Sequence, residues 1–242
     1  MSTSFYVSPE QLVKDRVEFA RKGIARGRSV VVGSCADGVV LVAENPSTSL
    51  HKISEIYDRI AFAAVGKYHE FESLRVAGIR YADGRGYAYA REDVTARALA
   101  NAYSQSLGVA FTAGPKPYEV ELVVAEVGAT AAEDSLFRLR FDGSVGDEEG
   151  FVAMGGDGEA LSATLRHSWD VGMSCAHAVR QAAAALLPRG DAAERSSQLE
   201  VAVLERGCAR RSFRRVPVAR VQEWLRSCDG AGESGGVLEG QA

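Results

Sequence analysis

The sequence predicts an α+β fold in which two antiparallel sheets lie face to face with helix pairs on the outside. Three observations carry this. Strand-like and helix-like segments arrive in clusters, in the order helix, four strands, helix pair, three strands, helix pair, hairpin, helix; a doubly wound parallel sheet would need strict alternation. Asp37-Gly38, between the first two β-branched runs, suits the tight turn of an antiparallel hairpin. A chain of 242 residues with 46% hydrophobic content can bury a full core as one domain, and no linker or internal repeat divides it.

The first helix is read from "SPEQLVKDRVEFARKGIARG", over residues 8–26, with Ser8 as N-cap, Pro9 at the first helical position, Gln11 completing a capping box and Gly27 as the stop. Val13, Val17, Ala20 and Ile24 form one apolar stripe that must lie on a layer or on a neighbouring subunit. Strands follow at 30–33 and 39–43, then a short one near Lys52 and a longer one at 60–65 that stops at Gly66. Phe71, Leu74, Gly78 and Tyr81 share a helical face; a second helix is expected over about 93–107, separated from the first at "DGRGY". Three strands at 120–127, 136–141 and 150–154 come next, the latter two joined through a turn region beginning at Asp142-Gly143. "GDGEALSATLRHSWD" and "SCAHAVRQAAAALLP" make the second helix pair, "QLEVAVLER" and "RSFRRVP" the last hairpin, and "VARVQEWLRS" a closing helix. Residues 1–228 read as one domain and the Gly, Ser and Glu-rich 229–242 as a disordered tail.

Bulk chemistry narrows the function. A net charge of −4 with 25% charged residues lacks the basic bias of a nucleic-acid binder. No apolar h-region follows Met1 and no apolar run approaches the roughly 20 residues that span a bilayer, so a cytoplasmic protein with no membrane partner is expected. The four cysteines form no CxxC pair and the four histidines no HExxH set, so free thiols and no metal or other cofactor are expected. "GGDG" at 155–158 stands between a strand and a helix, where backbone amides could hold a phosphate, but it lacks both P-loop and GxGxxG spacing; a tight turn is the better account and nucleotide binding the weaker one. Arg206, Arg210, Arg211, Arg214 and Arg215 read as a solvated rim or a subunit salt-bridge surface. No GxSxG elbow or Ser-His-Asp set supports classical hydrolase chemistry, and Lys52 by itself reads as a strand-edge charge that discourages aggregation.

The string "YVSPEQLVKDRVEFARKGIARGRSVVVGSCADGVVLVAENPSTSLHKISEIYDRIAFAAVGKYHEFESLRVAGIRYA", with "KPYEVELVVAEVG" and "FDGSVGDEEGFVAMGG", resembles the proteasome alpha-type subunits of actinobacterial core particles. The likeness runs from Tyr6 to Leu187 and is less distinctive in the final hairpin and tail. It implies the four-layer αββα sandwich of N-terminal nucleophile hydrolases, in agreement with the element order. It also implies a non-catalytic role: catalytic beta-type relatives begin their mature chain with a threonine whose free α-amine serves as base, whereas the corresponding junction here reads Gly27-Arg28-Ser29. No catalytic residue is therefore expected, and a self-processing threonine or serine peptidase is the alternative.

The resemblance further implies a homo-heptameric outer ring stacked on beta subunits, gating the entrance through which unfolded substrates thread. Residues 1–7, including Phe5, Tyr6 and Val7, match the gating leader, with Ser8 and Pro9 at the reverse turn. The archaeal leader is longer and differently spaced, and Phe19 stands where the family has tyrosine. Lys52 matches the pocket lysine that receives the C-terminal carboxylate of an activating AAA ATPase; Gly66 matches the glycine of the same pocket wall, and Arg26 extends its basic rim. Substrates of the bacterial family arrive by the Pup-dependent pathway, tagged with a small ubiquitin-like protein that the ATPase reads.

Overall fold

The computed structural model describes residues 8–226, so the leader at 1–7 and the tail at 229–242 lie outside the described residues. Helix α1 spans Pro9–Ala25, and the Ser8 hydroxyl accepts a hydrogen bond from Gln11 N at 3.2 Å. The expected capping box is only half made. The Gln11 side chain donates to Asp15 at 2.7 Å, one turn ahead, instead of reaching back.

Strands β1 (Val30–Cys35) and β2 (Gly38–Glu44) pair with Cys35 opposite Gly38, so Ala36 and Asp37 are the turn residues. Gly38 has φ +149°, and a Cβ there would lie 1.9 Å from the Leu204 carbonyl. The glycine is demanded by a neighbouring strand as much as by the turn. Strands β3 (Ile53–Tyr57) and β4 (Ile60–Gly66) follow, with Lys52 immediately before β3.

Helix α2 spans Tyr68–Ala88 and runs straight through "DGRGY", against expectation. Gly86 abuts the Tyr57 hydroxyl, which an added Cβ would approach to 2.1 Å, so the glycine serves close packing and does not end the helix. The break comes afterwards, and α3 (Ala96–Ala113) starts on the Thr95 cap, later and longer than predicted.

Strands β5 (Val120–Glu126), β6 (Ser135–Leu139), β7 (Val145–Asp147) and β8 (Phe151–Met154) come next. The turn at Asp142-Gly143 joins β6 to β7, a three-residue strand too short to show in the pattern, and not to β8 as expected. β8 crosses to the other sheet and pairs with β1. The remainder is α4 (Gly158–Leu165), α5 (Cys175–Leu186), a short α6 (Ala192–Ser197) that was not anticipated, β9 (Leu199–Glu205), β10 (Phe213–Arg215) and α7 (Val218–Arg226).

Two five-stranded antiparallel sheets result, ordered β10-β9-β2-β1-β8 and β3-β4-β5-β6-β7. Alternation along each central strand feeds two cores: Val30, Val32, Leu41, Ala61, Ala63 and Val123 meet between the sheets, while Phe62 and Leu122 pack outward with Leu99 and Tyr103 of α3. On the opposite face Val31, Val40 and Val42 pack with Ala178 and Ala182 of α5. The layers therefore run helices, sheet, sheet, helices. Helix α1 belongs to neither helix layer; its Ala20 and Ile24 join the inter-sheet core, whereas Val13 of the same predicted stripe is 50% exposed.

The arginine-rich stretch differs from a free rim. Arg211 pairs with Glu55 of β3, Arg214 with Glu205, and Arg215 with Glu200, tying the β9–β10 hairpin to itself and across to the second sheet. Arg206 makes a two-pronged contact with buried Asp134 at 2.8 Å.

Candidate functional site

The path from α1 to β1 runs Arg26-Gly27-Arg28-Ser29. Arg26 ends α1 in a helical conformation with its side chain exposed. Gly27 lies hard against β4: a Cβ there would sit 2.6 Å from Val65 Cγ1 and 2.9 Å from Gly66 N. Gly66 itself has φ +114°, and its Cβ would come within 2.0 Å of the Glu119 carbonyl. Both positions require glycine, because the backbones of α1, β4 and β5 approach more closely than any side chain permits.

Lys52 reaches the same junction from the other side. Its Nζ donates to the Arg28 carbonyl at 2.7 Å, and its own carbonyl accepts from Ala64 N at 3.1 Å, two residues before Gly66. Of the residues expected at the pocket, Gly66 thus lies against Gly27 and Lys52 on Arg28, while Arg26 is the exposed residue just before them.

Burial pulls the Lys52 pKa down to about 8; Glu44 opposes the shift, Arg28 adds to it and Glu200 opposes it. Arg28 is in turn held to Glu44 at 2.8 Å. An ammonium has three donors. One is spent on the Arg28 carbonyl, which leaves two for an acceptor supplied from outside, and a carboxylate would restore what desolvation removed.

The loop carrying Lys52 is fixed by a residue that sequence reasoning missed. Glu200, with a side chain only 8% exposed, accepts from Lys52 N at 2.9 Å and from Asn45 Nδ2 at 2.8 Å, and pairs with Arg215 and with His51 Nδ1 at 3.2 Å. Its only sequence signal is an acidic residue between Leu199 and Val201 in a strand, which does not name a partner some 148 positions away.

A second missed cluster flanks Gly66. Glu70 and Glu119 are 5% and 4% exposed; Lys67 pairs with Glu119, and Lys116 with Glu70 and, at 3.4 Å, with Glu119. The Phe19 ring of α1 lies 5.8 Å from Lys67 Nζ and 5.9 Å from Lys116 Nζ, so it holds α1 over this charged base.

Ser29 is 6% exposed, its carbonyl accepting from Glu44 N at 3.0 Å. Gly155 (φ +112°) and Gly156 of "GGDG" press on the same junction: Cβ atoms at these positions would approach Ser29 Cα to 2.9 Å and the Ala25 carbonyl to 2.6 Å. These glycines serve backbone contact, as a tight turn requires.

Of the gate residues, Ser8 caps α1 and Pro9 opens it, while Phe5, Tyr6 and Val7 lie outside the described residues. Among the described residues no His, Cys, Asp and Glu cluster is placed to hold a metal ion, and no helix is long and apolar enough to cross a membrane.

A family model described as "Proteasome subunit" matches residues 24–204. A protein named "Proteasome subunit alpha" from Kineococcus radiotolerans is 61% identical over 226 residues, covering 89% of this chain and 94% of that protein. Its namesake from Pseudarthrobacter chlorophenolicus is 61% identical over 235 residues, covering 93% and 100%. One from Saccharopolyspora erythraea is 55% identical over 244 residues, covering 100% and 95%. Together with the two stacked sheets, these matches show that the chain belongs to the proteasome subunit family, among its alpha-type, non-catalytic members.

Proposed function

We propose that seven copies of this chain form each outer ring of a proteasome core particle, stack on beta subunits, gate the channel with residues 1–9 and dock the C-terminal tails of an activating AAA ATPase at the crevice between neighbouring copies. The observation that carries the docking reading is the convergence of Lys52 and Gly66 on Gly27 and Arg28: a half-buried ammonium beside backbone stripped of side chains. A carboxylate gains more from a partly desolvated cation than from an open surface lysine, where such a pair is worth about 0 to 1 kcal/mol. Ring formation is supported by α1, whose Leu12 and Val13 remain 51% and 50% exposed and offer apolar surface to a second copy. Unfolded protein in transit and the Pup-dependent delivery of substrates follow from the same reading.

Co-expression with a beta subunit and imaging of the product tests it. Stacked rings whose ATPase-dependent degradation is lost in Lys52→Ala, with peptide hydrolysis by an open-gated particle retained, support the proposal. Stacked rings in which that variant still degrades protein with the ATPase remove Lys52 from docking.

A further inference from the structure

Two cysteines far apart in sequence meet at the end of the sandwich closed by Arg206. Cys35, the last residue of β1, and Cys175, the first of α5, place their sulfurs 3.0 Å apart, 140 positions apart in the chain, and both are free thiols. The backbone on either side is held. Ala36 N donates to the Met173 carbonyl at 2.9 Å, Cys175 N donates to Asp37 Oδ2 at 2.9 Å, and Arg206 Nη2 donates to the Cys35 carbonyl at 3.0 Å. The sulfurs are thus held in contact by backbone fixed on both sides, and closing to a disulfide requires them to approach by about 1 Å.

The hydrogen bond between the two sulfurs holds the Cys35 thiol below its ordinary range and pushes that of Cys175 up. Ionisation thus leaves one proton between two sulfurs; the N-terminus of α5 and the Arg206 guanidinium favour the thiolate charge, while Asp37 and Glu205 oppose it. Cys35 is wholly buried and Cys175 is 8% exposed, so a small oxidant reaches Cys35 past Cys175.

We infer that Cys35 and Cys175 form a redox modification site, closing to an intramolecular disulfide in the presence of a hydroperoxide. The Cys35 thiolate, its proton released to solvent, attacks a peroxide oxygen; the S–O bond forms, the O–O bond breaks, and the departing hydroxide or alkoxide takes the Cys175 proton and leaves as water or alcohol. The Cys175 thiolate then attacks the sulfenic sulfur of Cys35, the S–S bond forms, and the S–OH group departs as hydroxide, which the proton released at ionisation converts to water. The two sulfurs together lose two electrons and the hydroperoxide gains them. The product is a covalent tie between the inter-sheet layer at β1 and the helix that covers it, reversible by a dithiol.

The test treats the full-length chain with excess hydrogen peroxide, alkylates the remaining thiols and maps peptides without reduction. The expected result is a Cys35–Cys175 linked peptide, lighter by two hydrogens than its reduced parts, cleaved by dithiothreitol and accompanied by a higher Tm than the reduced chain. The link should persist in a C208S/C228S double variant, which leaves the pair as the only thiols. Either of two outcomes overturns the site: Cys35 and Cys175 remaining alkylatable in the wild-type chain while Cys208 is oxidised, or loss of the linked peptide in the double variant. Because the wild-type map decides by itself, poor folding of any single-cysteine variant does not obscure the answer.

Discussion

The ammonium of Lys52 donates to the backbone carbonyl of Arg28 at 2.7 Å, so the cation that is proposed to receive a partner already braces the junction between the first helix and the first strand. One side chain thereby connects an internal structural contact with the surface proposed to receive an incoming tail.

Replacing Lys52 by alanine removes a single hydrogen bond, worth about 0.5–1.5 kcal/mol, and with it the desolvation cost that lowers the Lys52 pKa, so the fold is not weakened by the full value of the bond. Assembly with beta subunits should be preserved while binding of a peptide bearing the activator's C-terminal carboxylate is lost. Fluorescence anisotropy of such a peptide on wild-type and Lys52→Ala rings reads this directly; equal affinity refutes it.

The pH dependence has a defined sign. With its pKa at about 8, Lys52 is charged below that pH and loses its proton above it. Tail affinity should be flat below about pH 7 and fall as pH rises through about 8 to 9. Folding responds in the opposite sense. The unfolded chain holds this proton more tightly than the folded one, so Lys52 costs stability below pH 8, and that cost is relieved as pH rises toward its ordinary value of 10.5. Tail affinity that stays constant across this window would show that the ammonium is not the binding group.

Gly66→Ala forces a side chain into the left-handed region at φ +114°, with its Cβ 2.0 Å from the Glu119 carbonyl. Backbone strain alone costs of order 1–3 kcal/mol, and the clash adds to it. A clear drop in Tm is expected, together with weakened tail binding because the end of β4 must shift away from β5. An unchanged Tm would contradict the close approach of β4 and β5 described here.

Glu200→Ala leaves Asn45, the Lys52 amide and Arg215 without their shared acceptor. Breaking a buried pair of this kind costs roughly 3–5 kcal/mol, against about 0.5 kcal/mol for an ordinary surface change. The midpoint of denaturant unfolding should fall accordingly, and Glu200→Gln, which keeps an acceptor oxygen, should recover part of the loss. A Glu200→Ala midpoint within surface-mutation range would demote Glu200 to a bystander.

Intact mass is the corresponding check on chemistry. The chain should keep Arg28 joined to Ser29 after assembly; a product beginning at Ser29 would reveal self-processing.

Local chemistry made much of this legible. Ser8-Pro9 announces α1, the β-branched runs announce β1, β2, β4 and β5, and resemblance picks out Lys52 and Gly66. Short elements escaped because β7 and α6 have three and six residues, too few to display a period. The helix through "DGRGY" escaped because glycine's unfavourable propensity is overridden by contact with Tyr57, a tertiary fact.

From residue order alone came the clustered strands and helices, hence two antiparallel sheets between helix layers, and the two pocket residues as a family likeness. Only folding decided that Lys52 and Gly66 abut neighbouring positions of one junction, that Glu200 anchors the loop leading into Lys52 and that Cys35 faces Cys175. Those relations join residues many positions apart, and periodicity and capping are local; contacts across sheets arise when burial of the shared core brings distant backbones together.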